Sequence, residues 1–263
     1  MGDDLLRRAE VLARRLAVLS DGNMRLRGVA EALEKDPPLA SAWTLEGLIR
    51  GALGKQRDHA TVYACMVDPR RLVAILGETR VEQMCAEGLG AGCIAAVQWL
   101  SSRHLMVADE ASRVVAGAQL LHRDLRQVSL GDRRALARRA RGEMLKKLLL
   151  DPDPFVIDNL LHNPRTTQQA VLRICARRPT VSPPLEAVMR SPRWGVRYDV
   201  RLALARNPHL LAGLAVGLLV TLQLPDIASI RGDATLSPPL RLAAQRLLDI
   251  AAAPEMALAI NPS

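Results

Sequence analysis

Aromatic residues make up 2% of this chain, and phenylalanine occurs once, at Phe155. That scarcity argues against an all-β fold, which would want Val, Ile, Thr, Tyr and Phe in alternation. It also leaves few rings for stacking on nucleic-acid bases. The four cysteines, Cys65, Cys85, Cys93 and Cys175, form no CxxC or CxxxC pair. Neither a disulfide framework nor a zinc site is expected, and the thiols read as small buried hydrophobes. The five histidines (His59, His104, His122, His162, His209) are scattered without metal-ligand spacing. No GxSxG, HExxH or Walker phrase occurs, so no catalytic residue, metal or cofactor is expected. Gly88-Leu89-Gly90-Ala91-Gly92 lacks the complete GxGxxG spacing and reads as a helix–helix junction. The start, Met1-Gly2-Asp3-Asp4-Leu5-Leu6-Arg7-Arg8, places acid before base and reads as no secretory signal, which predicts a cytoplasmic protein. The longest uncharged stretch, His209 to Pro225, falls short of the roughly 20 apolar residues of a spanning helix. It reads as a central helix whose several faces must all be covered.

What is abundant is Leu, Ala and Arg, and 49% of the 263 residues are hydrophobic. Leu and Ala lose little rotamer freedom in a helix, so the composition suits a helical core. Apolar spacing predicts helices over Leu5–Leu16, Met24–Lys35 and Ala42–Leu53, the last with Trp43 on its stripe. Others follow around Arg70–Gly77, Val81–Gly88, Ile94–Ser101 and Glu110–Arg126. In the second half, Asp151-Pro152, Asn163-Pro164, Arg178-Pro179, Ser191-Pro192, Asn207-Pro208 and Leu224-Pro225 cut the chain into short segments. Proline pushes the preceding residue to extended geometry and is itself at home in a first helical turn. Helices are therefore predicted near 154–162, 167–177, 183–190, 195–206, 210–223 and 238–250. Asp153, Ser182 and Ser237, each before a proline, read as N-caps.

Thr180-Val181-Ser182-Pro183-Pro184-Leu185 returns as Thr235-Leu236-Ser237-Pro238-Pro239-Leu240, 55 positions later. Short helices at such a period bury their apolar stripes only against neighbours, which predicts a helical solenoid. The run Leu150-Asp151-Pro152-Asp153-Pro154-Phe155-Val156-Ile157, continued by Leu160-Leu161-His162-Asn163-Pro164-Arg165-Thr166, resembles bacterial leucine-rich repeat variant and HEAT-like proteins. So does Val196-Arg197 with Val200-Arg201-Leu202-Ala203-Leu204-Ala205-Arg206-Asn207-Pro208. The resemblance covers about residues 128–250 and implies a right-handed superhelix of short helices. Asp151 to Pro164 departs from it by carrying Val156-Ile157 in place of a Val-Arg pair, and no iron–sulfur cysteine cluster precedes the repeats. The expected architecture is all-α: an irregular helical region over 1–127, a helical-repeat domain over 128–253 and a tail over 254–263.

Charge gives the functional candidates. Arg123 to Lys147 holds nine bases against three acids, two thirds of the formal +9. A helix from Asp132 onward would bury Leu136, Ala140, Met144 and Leu148 and leave Arg134, Arg138 and Arg141 as one outward row. Such a row holds phosphates or an acidic partner, or is a solvated face. Arg197 and Arg201 form a second row one turn apart, with Val196, Val200, Ala203 and Leu204 turned to the core and Trp194 just before. Trp and Arg are favoured interface anchors; alternatively Trp194 packs between repeats and the arginines pair with Asp158 or Asp199. The expected function is a non-enzymatic scaffold that binds a protein partner, acidic by charge, as part of a complex or oligomer. The rival is a nucleic-acid-binding HEAT-like protein in the manner of alkylpurine DNA glycosylases, although no glycosylase active-site residue maps onto the chain.

Overall fold

The computed structural model describes residues 2–106 and 120–252, with side chains from Leu6 onward. Among these residues there are 16 α-helices and no strand, so the chain is all-α. No described helix is long and apolar enough to cross a membrane. The helices are α1 (Gly2–Ala17), α2 (Gly22–Lys35), α3 (Pro38–Leu53), α4 (Arg57–Tyr63), α5 (Pro69–Leu76), α6 (Glu78–Ala91) and α7 (Ile94–Ser101). After residue 120 come α8 (Leu130–Ala137), α9 (Gly142–Leu148), α10 (Pro154–His162), α11 (Gln168–Ala176), α12 (Ser182–Arg190) and α13 (Tyr198–Ala205). The last three are α14 (Ala212–Leu219), α15 (Leu224–Gly232) and α16 (Pro238–Ala252). The spacing did not reveal α4 or α15, and most of the helix expected over Glu110–Arg126, like the tail over 254–263, lies outside the described residues.

Proline and Asx residues punctuate the helices as their chemistry requires. Asp153 caps α10 by accepting the Phe155 and Val156 N–H groups at 3.1 and 3.0 Å, with Pro154 in the first turn. Ser182 departs from expectation: Val181 is the cap residue of α12, and the Ser182 hydroxyl instead donates to Glu186 and accepts the Leu211 N–H. The helix ends at Asn163, Ser191 and Asn207 are breaks, as the prolines predict. Asn163 and Asn207 are each 1% exposed and make the same set of bonds. The Asn163 amide donates to the Ala137 and Ala140 carbonyls at 2.9 and 3.0 Å, and the Asn207 amide to those of Cys175 and Arg177 at 2.7 and 3.1 Å. Their side-chain oxygens accept the Arg165 and His209 N–H groups two residues on. Each asparagine thereby ends its own helix and satisfies the open carbonyls beyond a second one.

Contacts divide the chain into two compact units, which differ from the linear 1–127 and 128–253 division. One comprises Met1–Met106 together with Ala212–Ser263; the other is Val107–Leu211. In the first, α3 packs on α1, α4, α6 and α7, and α16 on α7, α14 and α15. In the second, α10 packs on α8 and α12, and α11 on α13.

The apolar helix α14 is what returns the chain to the first unit. Leu214, Leu218 and Leu219 are at most 1% exposed and Leu211, just before the helix, is 8% exposed. Its two glycines make the seat: a β-carbon on Gly213 would stand 2.2 Å from the Ser102 carbonyl oxygen, and one on Gly217 2.0 Å from that of Val67. The buried Tyr63 hydroxyl donates to the Gly217 carbonyl at 2.9 Å. Lys55 donates to the Val220 and Leu222 carbonyls at the helix end. Because the obstructing atoms are backbone, a methyl group at Gly217 must displace a chain segment. Gly217→Ala should destabilise by about 1–3 kcal/mol or more, as overpacking does, and lower the urea midpoint followed by circular dichroism; an unchanged midpoint would refute the close approach.

Candidate functional site

Trp194 sits in the turn between α12 and α13 and is 2% exposed. Its Nε1 donates to the Leu161 carbonyl at 2.9 Å. The Arg193 and Arg197 guanidinium carbons lie 4.5 and 4.7 Å from the indole centroid. Of the readings open in the sequence, the structure therefore has Trp194 packed within the second unit; it underlies the surface and is no exposed anchor. Arg197 is the cap residue before α13 and its carbonyl accepts the Arg201 N–H at 3.1 Å, so the two lie one turn apart with Arg197 outside the helix and Arg201 within it. The reason is local: Ser191, Pro192 and the turn they start hold residues 191–197 outside the helix. Val196, expected in the core, is 63% exposed for the same reason, while Val200 and Leu204 are buried.

The arginines pair neither with Asp158 nor directly with Asp199. Arg197 donates to the Gln168 amide oxygen, and the Gln168 nitrogen donates to Asp199 at 2.9 Å. Arg201 is half-buried, its Nε is buried without a hydrogen-bond partner, and burial pushes its pKa down. Two stacked guanidiniums on a fixed indole, with Val196 beside them in sequence, give a surface that joins cationic and apolar character.

The row expected from Arg134 to Arg141 is interrupted. Helix α8 ends at Ala137 and α9 begins at Gly142, whose φ of +54° lies in the left-handed region that glycine adopts freely. The break resets the helical phase: Ala137, Ala140, Leu145 and Leu148 are buried, whereas Met144 is 37% exposed. Arg134 is held by Asp153, at 3.0 and 3.2 Å, and lies 4.6 Å over the exposed Phe155 ring. Arg138 donates to Asn159 at 3.1 Å, whereas Arg141 is exposed at the break.

Much of the remaining cationic excess serves helix ends. Arg177 donates to the Leu150 and Leu120 carbonyls and Arg178 to that of Arg206. In the first unit Arg80 does this for Leu33 and Asp36, Arg71 for Cys65 and Arg103 for Leu100. Cations there complement the negative end of the helix dipole.

The sequence also concealed a cavity of about 490 Å³ in the first unit. Leu6, Leu53, Leu224 and Ile250 provide apolar walls, and Glu10, Arg50 and His59 the polar ones. Beside it, Glu46 is wholly buried: it accepts from Arg50 at 2.6 Å and from the Ala96 N–H at 2.7 Å. Burial pushes the Glu46 pKa up, against the opposing pull of Arg50 and the Ala96 amide. The one visible signal is an acid on an otherwise apolar helix with a base four residues on.

Cys65, Cys93 and Cys175 are buried free thiols, pushed up to about 11, 12 and 12 by burial. Among the described residues, no three or more His, Cys, Asp or Glu side chains gather as a metal site would require. Comparison with known proteins gives no match: neither a family model, nor a curated protein, nor a solved structure matches the chain significantly.

His59 is 5% exposed, and its ring faces Gly51 so closely that a β-carbon there would meet it at 2.3 Å. Burial lowers its pKa below the ordinary 6.5, partly offset by Glu10 and Asp58. Below that value the unfolded chain takes up a proton that the native ring resists, so stability is full above it and falls as pH drops. His59→Gln should reduce the loss of urea stability between pH 7.5 and 5.5; equal slopes in both proteins would show that His59 protonates freely in the fold.

Proposed function

We propose that the chain is a non-enzymatic, cytoplasmic helical-repeat scaffold whose second unit docks an acidic protein partner. What supports a solenoid is the alternate packing of α8 on α10 on α12, with α11 on α13, together with the repeated buried asparagine. Such packing agrees with what the resemblance to leucine-rich repeat variant and HEAT-like proteins implies for about residues 128–250, of which those up to Leu211 fall in the second unit. Solenoids bind through surfaces that adjacent repeats build together.

The observation that carries the reading is the pair Arg193 and Arg197 stacked on Trp194. Stacking limits guanidinium motion, so less rotamer freedom is lost when a carboxylate is bound. Trp194 supports this surface from below, and Arg201, with Arg134 on Phe155, Arg138 and Arg141, extends the positive field that steers an acidic partner.

Arg193→Ala with Arg197→Ala removes the paired donors and leaves the Trp194 hydrogen bond in place. Partner capture from native lysate should weaken by about 1.5–3 kcal/mol per lost charged hydrogen bond, with helical content unchanged. Unaltered capture would exclude this surface. Binding of generic duplex DNA with a steep salt slope would replace the scaffold by the nucleic-acid reading.

A further inference from the structure

A cleft of about 210 Å³ lies between α9 and the start of α11. Its polar lining is Arg141, Lys146, Arg165, Thr167, Gln169 and Arg173, with no acidic side chain. The floor is apolar and close-packed: Leu145, Leu149 and Ala170 are 8%, 5% and 8% exposed.

The four cations come from three separate pieces of chain. Arg141 is the extended residue before α9, and the left-handed Gly142 sends the helix away behind it, leaving Lys146 one turn further along the same helix. Arg165 stands in the turn that the buried Asn163 fixes by accepting its N–H at 2.9 Å. Arg173 projects from α11, whose cap residue Thr167 accepts the Ala170 N–H and keeps its own hydroxyl proton.

These arginines lack the compensation that several others in this unit have. Arg133, Arg134 and Arg190 have carboxylates, and Arg177 and Arg178 have carbonyls. Among the described residues, the side chains of Arg141, Arg165 and Arg173 have no hydrogen bond or ion pair; Lys146 alone is paired, with Glu143 at 2.6 Å. Three unpaired guanidiniums around one concave, acid-free space lower the energy of an anion placed there.

We infer that this cleft binds a phosphate monoester. A dianion with three terminal oxygens can engage three guanidinium forks, which a single carboxylate cannot. The cations line one small cleft and do not form a track, which suits a terminal phosphate group better than a polymer backbone. Such a group can be carried by a phosphorylated side chain or by a free small molecule.

The test is calorimetric titration of the full chain at low salt with inorganic phosphate, with an acetylated phosphoserine tripeptide amide and with its unphosphorylated form. Binding of the phosphopeptide or of inorganic phosphate, without binding of the unphosphorylated peptide, is expected; the tighter of the two identifies the carrier. Arg165→Ala combined with Arg173→Ala should weaken that binding at least tenfold and leave the circular dichroism spectrum unchanged, since both side chains are exposed. Arg126→Ala, which removes an exposed charge elsewhere in this unit, should change it less than twofold. Absence of binding at millimolar phosphate, or equal weakening by Arg126→Ala, would overturn the proposal.

Discussion

Short helices have proportionally many ends, and the ends are the constraint on which this structure depends. In the second unit α8 to α13 run only seven to nine residues each. About four carbonyls at the end of every helix lack an intrahelical partner, so in helices this short about half the carbonyls need one from elsewhere. The chain meets that need in two ways. Buried asparagines reach across to a second helix end, at Asn163 and Asn207, and long cationic side chains fold back over carbonyls, at Arg177 and Arg178. A dense proline–Asx grammar and a surplus of arginine are thus two parts of one solution.

That dual use explains what was legible in the sequence. Helix starts at Pro154 and Pro238 and ends at Asn163 and Ser191 could be read because proline and Asx chemistry acts within a few residues. The division into units could not. The two copies of the Thr-x-Ser-Pro-Pro-Leu hexapeptide open α12 at Ser182 and α16 at Pro238, with Leu185 and Leu240 both buried, yet they fall in different units. What assigns α14 to the first unit is the contact of Gly213 with Ser102 and of Gly217 with Val67, more than a hundred residues away. Only the unusual apolarity of residues 210–220 signalled that several faces would be covered.

The candidate site was legible in composition and less so in arrangement. Arginine and tryptophan around residues 193–201 do form a cluster, but the turn begun at Ser191-Pro192 keeps Arg197 out of the helix and buries Trp194 beneath it. The row through Arg134, Arg138 and Arg141 is broken by the end of α8 at Ala137, which leaves Arg138 and Arg141 outside a helix before α9 resumes at the left-handed Gly142. Arginines that look equivalent in sequence divide by their partners. Those opposite carboxylates or carbonyls hold the fold, while Arg141, Arg165 and Arg173 face open space without either. Function is best sought in the second group and in the guanidiniums stacked on Trp194.

Asn207 tests the capping account most directly, because its amide serves the carbonyls of Cys175 and Arg177 while being 1% exposed itself. Asn207→Ala leaves those carbonyls without their donor, and each buried group left unsatisfied costs about 1–3 kcal/mol. Urea unfolding followed by circular dichroism should therefore show a loss of at least about 2 kcal/mol, the sum of two such groups at the low end. A loss below about 0.5 kcal/mol, the level of an ordinary surface substitution, would contradict the claim that buried asparagines hold these helix ends together.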